Sequence, residues 1–336
     1  MAFNSPAASP LGTAPPTLSN KVVNAFHYLP NQDVAWMWFT LFLVISLVIW
    51  AQIHFLYKSR FYYIIVGTGF MEVVGYGLRV RSAQEYDLMV FIVTSLCLLV
   101  APILLAFVNY LVAGWLVMAA GRRVHIFCFE VSATKIAKVF LASDLVCLFL
   151  QGAGGGMLAA KDINVVQMGN AVVLAGLAVQ ITFFTAYFYI VLRIRFEHEF
   201  KFKYVPSLKP LFQGLILTVL LMYVRNVYRI LDFGSIAINS WLNPGYIPAN
   251  EWTFFAFESS PIFLAFCVYA ALPFNKYLGY HQEHPVWKEE LAAVNKTYGF
   301  DSEEAGGDGP GALGLPANDN RESREDKTTV SGAGDP

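Results

Sequence analysis

Two arginines, Arg225 and Arg229, lie inside an otherwise apolar stretch, LFQGLILTVLLMYVRNVYRILDF (211–233). A charge at membrane depth costs roughly 2.5–3.5 kcal/mol on insertion scales, so such residues face a bundle interior or a cavity rather than lipid. The same intrusion recurs at Glu72 in GTGFMEVVGYGL, Asp144 in FLASDLVCLFLQ and Glu258 in FFAFESSPIFL. Guanidinium and carboxyl groups set among apolar residues suit two tasks: holding the charged head of an amphiphile, or relaying a proton. Helical spacing sorts these residues into stripes. Glu72 and Arg79 are seven positions apart, almost two turns, and share a face. Asp144 and Gln151 repeat that spacing, as do Glu251 and Glu258, while Arg225, Arg229 and Asp232 fall at i, i+4 and i+7.

The elements that must position them are membrane helices. Of the 336 residues, 56% are apolar and only 14% charged, against about 25% charge in a soluble domain. Seven spans of about 20 residues, the length a hydrocarbon core of roughly 30 Å requires, fit the pattern. They run over 34–56, 62–80, 88–117, 138–160, 168–192, 211–233 and 252–274. All must be helical, because an open strand leaves backbone groups unpaired in lipid. The expected fold is therefore all-α, a polytopic seven-transmembrane-helix bundle over 34–275. A tail (1–33) precedes it, and a tail (276–336) rich in Gly, Pro and acidic residues follows, largely disordered by composition. Residues 1–20 lack the apolar core of a cleavable signal peptide.

Lys and Arg in the connections set the orientation. The first connection carries Lys58 and Arg60, the third Arg122, Arg123 and Lys135, and the fifth Arg193, Arg195, Lys201, Lys203 and Lys209. The sixth, GSIAINSWLNPGYIPANE, carries none. The N-terminus is thus expected outside or in a lumen and the C-terminus in the cytosol, at a plasma membrane or endomembrane. The sequon at Asn295 would then go unmodified. In this orientation Arg79, Arg225, Arg229, Asp232, Glu251 and Glu258 occupy the outer half, Glu72 the middle and Asp144 the cytosolic half.

Two readings of these polar residues stay open. They could line a cavity facing the outer leaflet, or they could be ion pairs and hydrogen bonds that fix helix register. If paired, Glu72 should meet Arg225 or Arg229, with Glu258 as an additional partner. Gly154, Gly155 and Gly156, within GAGGG, serve either close packing or a break in the helix. Pro102 predicts a kink or tilt in the third span.

Other chemistries fit poorly. Net charge is −1, with no nucleic-acid signature, and there is no P-loop or nucleotide fingerprint. The four cysteines show no metal or redox spacing, so neither a disulfide framework nor a metal site is expected. His54 is the only histidine within a clear span, and an intramembrane zinc hydrolase needs several ligands converging from helices, which disfavours that chemistry. Retinal binding is disfavoured because no lysine precedes Lys276 in the seventh span. No catalytic residue and no cofactor is expected.

The same residues carry a resemblance. FMEVVGYGLR resembles the E-x-x-GY-x-x-R pattern of the fungal lipid-translocating exporter family, the RTA-like seven-helix proteins of the resistance-to-aminocholesterol type, through Glu72, Gly75, Tyr76 and Arg79. LLVAPILLAFVNY resembles its Ala-Pro plus Tyr segment at Ala101, Pro102 and Tyr110. SDLVCLFLQGAGGG is similar to D-x6-Q-x-x-GGG through Asp144, Gln151 and the three glycines. RNVYRILDF resembles R-x-x-YR-x-x-E at Arg225, Tyr228 and Arg229, with Asp232 in place of Glu. NEWTFFAFES resembles E-x3-Y-x-x-D from Glu251, with Phe255 for Tyr and Glu258 for Asp. The five motifs, in order, cover about 28–275. The resemblance implies export of sphingoid long-chain bases, tolerance of sterol-like amphiphilic drugs and, in some members, porphyrin or haem movement. The expected function is a facilitator of amphiphile export with an acidic pocket of Glu72, Glu258 and Asp144. The alternative is a seven-helix lipid sensor or flippase regulator that signals through its cytosolic loops. The expected partners are the bilayer, an amphiphilic lipid or drug, and a flippase or signalling protein.

Overall fold

The structure is a computed structural model. It describes residue 28 and segments 30–57, 62–84, 87–119, 124–126, 129–131, 133–158, 162–196, 204–239 and 245–272, with single positions at 160, 274, 289, 290 and 293. The expected tails lie mostly outside the described residues. So do Lys58, Arg60, Arg122, Arg123, Lys201 and Lys203 of the basic connections, and the Asn295 sequon.

Helix α1 (Gln32–Ala51) starts at Asn31, whose side chain caps the Asp33 amide, and passes into a π-helical turn, Gln52–Tyr57. Then follow α2 (Tyr63–Gln84), α3 (Leu88–Ala119), α4 (Ala133–Leu158), α5 (Ile163–Phe196) and α6 (Lys209–Asn239). After a one-turn helix, Tyr246–Ala249, comes α7 (Glu251–Ala271), interrupted by a π-helical stretch, Phe255–Ser259. Between α3 and α4 a two-stranded antiparallel hairpin, β1 (Val124–Ile126) and β2 (Phe129–Val131), was not expected. Glu290, in the segment expected to be tail, accepts hydrogen bonds from Ser207 N and Oγ at 3.3 and 2.7 Å.

Among the described residues six helices are long and apolar enough to cross a membrane: α1, α3, α4, α5, α6 and α7. The expectation of seven apolar spans needs correction at α2, where glycines and the charges of Glu72, Arg79 and Arg81 dilute the hydropathy. At about 1.5 Å per residue its 22 residues still extend about 33 Å. It packs between α1 and α3 with Glu72 and Arg79 buried and Arg81 exposed near its end, so its two inner charges are shielded from lipid. Consecutive helices are neighbours, α7 closes the ring against α1, and α3 reaches α6 across the middle. The protein is an all-α membrane bundle.

Its core is aromatic. Trp38, Phe42, Tyr76, Phe255, Phe263 and Phe266 form a stacked and edge-on cluster joining α1, α2 and α7. On the other side, Asn109 of α3 is a polar knot. Its backbone carbonyl accepts from Tyr187 (2.8 Å), and its side-chain oxygen accepts from Tyr269 (2.7 Å) and Thr218 (3.2 Å). One residue thereby ties α3 to α5, α6 and α7.

Helices α4 and α5 meet where side chains are absent. A Cβ on Gly154 would stand 2.7 Å from the Gly169 carbonyl oxygen and 2.7 Å from Val173, and one on Gly169 would stand 2.8 Å from the Gly154 oxygen. The GAGGG run is helical throughout, so no break occurs there. A Cβ on Gly155 or Gly156 would meet nothing within 4 Å.

Candidate functional site

The π-helical stretch of α7 delivers Glu258 to two arginines. Ser260 satisfies the widened turn: its backbone amide and its hydroxyl (2.9 Å) both donate to the Phe255 carbonyl. Pro261 follows and cannot donate a backbone bond. Such π insertions commonly occur at functional positions. Glu258 Oε1 accepts from Arg225 Nε (3.0 Å), Arg225 Nη2 (2.6 Å) and Arg229 Nη2 (2.7 Å), and Oε2 accepts from Arg229 Nε (2.9 Å). Arg225 and Glu258 are almost fully buried, 2% and 1% exposed. Arg225 and Arg229, one turn apart on α6, thus share one carboxylate and leave a net positive cluster. Arg225 Nη2 also reaches the Leu98 carbonyl at 3.4 Å.

Glu72 is absent from this network. It is fully buried, and neither carboxyl oxygen has a hydrogen-bond partner among the described residues. Its electrostatic neighbours are Arg225, Arg229 and Glu258. The expected convergence is present, with Glu72 within electrostatic reach of Arg225 and Arg229, but Glu258, expected as an additional partner, takes all of the hydrogen bonds. Tyr76, one turn beyond Glu72, donates a short hydrogen bond to Ser259 and so links α2 to the π stretch.

At the end of the bundle where α2, α4 and α6 finish and α3 and α7 begin, a cavity of about 160 Å3 opens. Arg79, Arg229, Asp232 and Tyr228 line it, with Thr94 and Ser95 of α3. Aromatic rings of Tyr28, Phe91, Phe233 and Phe254 complete the wall. Asp232 makes no hydrogen bond or ion pair among the described residues, and its electrostatic neighbours are Arg229 and Glu258. Ser95 is exposed at the rim. Arg79 closes one side. It pairs with Glu251 at 3.2 Å, donates to the Tyr28 hydroxyl and lies 4.3 Å from the Phe254 ring centre. Glu251 also accepts from the Asn31 amide at 2.9 Å, which ties the start of α1 to the start of α7.

Asp144 and Gln151 lie elsewhere. Asp144 accepts from Tyr110 (2.8 Å) and borders a second, much smaller cavity shared with Pro102, Gln180, Arg225 and Asn226. Gln151 donates to Gln180 (2.8 Å) across the α4–α5 contact. Neither Glu72, Glu258 nor Asp144 lines the larger cavity, so the acid facing it is Asp232. Sequence reasoning missed Thr94, Ser95 and the aromatic wall. The TS pair within FIVTSLCLL was the available signal. Asn109 was missed as well, although it is a lone amide in LLAFVNYLVAG. No group of three or more potential metal ligands occurs among the described residues.

A membrane bundle with a polar cavity at one end and buried charges behind it defines a class, and comparison supplies the family. Residues 64–280 match the RTA1 like protein family, and the chain belongs to it. Among curated proteins of Saccharomyces cerevisiae, the chain is 29% identical to Protein RTM1 over 216 residues, 59% of this chain and 62% of that protein. It is 31% identical to Protoporphyrin uptake protein 1 over 211 residues, 60% of this chain and 64% of that protein. Sphingoid long-chain base transporter RSB1 is 26% identical over 231 residues, 57% of this chain and 58% of that protein. In each case the chain spans less than two thirds of the relative's length. No solved structure matches.

Proposed function

We propose that the protein carries a single-chain amphiphile with an ammonium head across the bilayer, and that the cavity at Asp232 receives the head. The observation that carries this is a carboxylate without a hydrogen bond or ion pair among the described residues, in a cavity walled by aromatic residues. A cation gains from both, through Coulomb attraction and through the ring quadrupoles. Thr94, Ser95 and Tyr228 supply hydroxyls that suit an amino alcohol. The cavity holds a headgroup and not a tail, so the tail stays in lipid or between helices. The family membership supports a transport role, and the sphingoid-base name of one relative supports the substrate class. The roles of Glu72 and Glu258 move inward: they belong to the machinery behind the cavity.

The asymmetry of Lys and Arg in the connections supports an outside or lumenal N-terminus. The cavity then opens toward the outer leaflet, the bundle spans 34–275, and 276–336 is a cytosolic tail. An engineered glycosylation site in 234–250 should be used and one in 193–210 should not.

The decisive experiment reconstitutes the full chain in liposomes. It follows a fluorescent long-chain probe with a quaternary trimethylammonium head beside its neutral alcohol analogue. Accelerated crossing of the cationic probe alone is expected, and Asp232→Asn should abolish the preference. Binding without crossing would overturn the carrier and leave a lipid sensor.

A further inference from the structure

The geometry points to Glu72 as a second ligand site of this bundle, whose ligand is a proton exchanged as Arg225 moves between two carboxyls. This rests on the carrier reading above and supplies its coupling.

Glu72 stands out as the buried carboxyl without a hydrogen bond, in a bundle where Glu258 holds four. An ionised carboxylate so placed is too costly to keep. The arrangement seen is therefore the one in which Glu72 carries its proton. Two guanidiniums and two carboxyls can be allocated in another way, with Arg229 on Glu258, Arg225 on Glu72 and both acids ionised. Passing from one to the other releases one proton, from the Glu72 carboxyl to water entering from the Asp232 cavity. The return takes one up.

Several contacts make the exchange local. Arg225 Nη2 already leans to the Leu98 carbonyl, and the Leu98 side chain packs on Gly75, three residues beyond Glu72. Leu98 also lines the cavity, next to Arg229. The charged groups acting on Glu72 come from α6 (Arg225 and Arg229) and α7 (Glu258). Titratable neighbours are Tyr76 on its own helix and Cys97 on α3. At Gly69, one turn back, α1 presents the uncharged Ser46. The Tyr76–Ser259 bond connects the Glu72 helix to the residue after Glu258, so a shift of the π stretch is felt at both acids. A cation arriving at Asp232 alters the field on Arg229 and with it the sharing of Glu258.

Two measurements on the purified full chain test this. Infrared spectroscopy should show a protonated-carboxyl band at neutral pH that disappears in Glu72→Gln. It should also disappear in Glu258→Gln, where Glu72 becomes the acid left for the arginines and ionises. In proteoliposomes the trimethylammonium probe, which has no proton of its own, should cross severalfold faster in the direction driven by an imposed pH gradient. Glu72→Gln should carry it at a rate indifferent to that gradient. Absence of the band in the wild-type protein, its survival in either variant, or gradient-driven transport by Glu72→Gln would overturn the proposal. Failure of the wild-type protein to move the probe at all would instead sink the carrier reading, while the infrared result would still decide the proton on Glu72.

Discussion

Pro102 and Arg225 are joined through one carbonyl. A proline at position 102 has no amide to offer the Leu98 oxygen one turn earlier, and Arg225 Nη2 donates to that oxygen at 3.4 Å. Helix α3 runs unbroken from Leu88 to Ala119, so the proline serves to expose an acceptor inside the bundle. Arg225 thus bridges α3, α6 and α7. Lysine offers a point charge where this site uses a planar fork. Arg225→Lys should therefore lower stability, by less than the cost of a broken buried pair, about 3–5 kcal/mol, whereas Pro102→Ala should not lower the melting temperature. Thermal denaturation in detergent compares them, and a Pro102→Ala protein melting below Arg225→Lys would contradict the shared-carbonyl account.

Glu258 neutralises two guanidiniums, so its removal should be severe. Glu258→Ala removes every hydrogen bond the two make to a carboxylate and leaves Glu72 as the acid within reach of both, and breaking a buried pair costs about 3–5 kcal/mol. Glu258→Asp keeps the charge but retracts it by a methylene, and should fall between Glu258→Ala and the unaltered protein. Yield of monodisperse protein by size-exclusion chromatography gives the order, and equal yields would deny the cluster a structural role.

Asp232 should contribute to binding and little to folding. A trimethylammonium head has no N–H to donate and is held by Coulomb attraction alone, so Asp232→Asn should weaken binding of the trimethylammonium probe about tenfold or more, about 1.4 kcal/mol. The melting temperature and the affinity for the neutral analogue should stay unchanged. Equal losses for both probes would mean that the head does not sit at Asp232.

The glycines of α4 are not equivalent. Gly154→Ala drives a methyl into the Gly169 carbonyl and Val173, and overpacking of this kind costs about 1–3 kcal/mol. Gly155→Ala meets open space and should be neutral, or stabilising by up to about 1 kcal/mol through helix propensity. Melting curves of the two single variants suffice, and matching curves would refute the close approach of α4 and α5.

The helices were legible in the sequence because lipid imposes a length and forbids unpaired backbone. The dilution of α2 by glycine and charge was legible too, and there the hydropathy fell short. Stripes such as Arg225, Arg229 and Asp232 were readable from spacing. Spacing tells which face of one helix is polar. It does not tell which neighbour that face meets, and so Glu258 and Glu72 exchanged roles. The π stretch adds to this, because one extra residue per turn rotates Glu258 away from where α-helical counting places it. The aromatic wall was illegible for another reason. Phe91, Phe233 and Phe254 are apolar residues in apolar helices, and only tertiary packing separates a cavity lining from a core.

The sharing of Glu258 also bears on biosynthesis. Arg225 and Arg229 are synthesised on α6 before their common acid exists, because Glu258 arrives with α7. For that interval Glu72 on α2 is the acid within electrostatic reach of both guanidiniums, and an arginine left without a partner is disfavoured in lipid by roughly 2.5–3.5 kcal/mol. Asn109 on α3 waits longer still, since Tyr269 completes its contacts near the end of α7. A chain stopped before residue 258 lacks the carboxylate that both guanidiniums share, and it should be degraded in the membrane rather than persist as a smaller working protein.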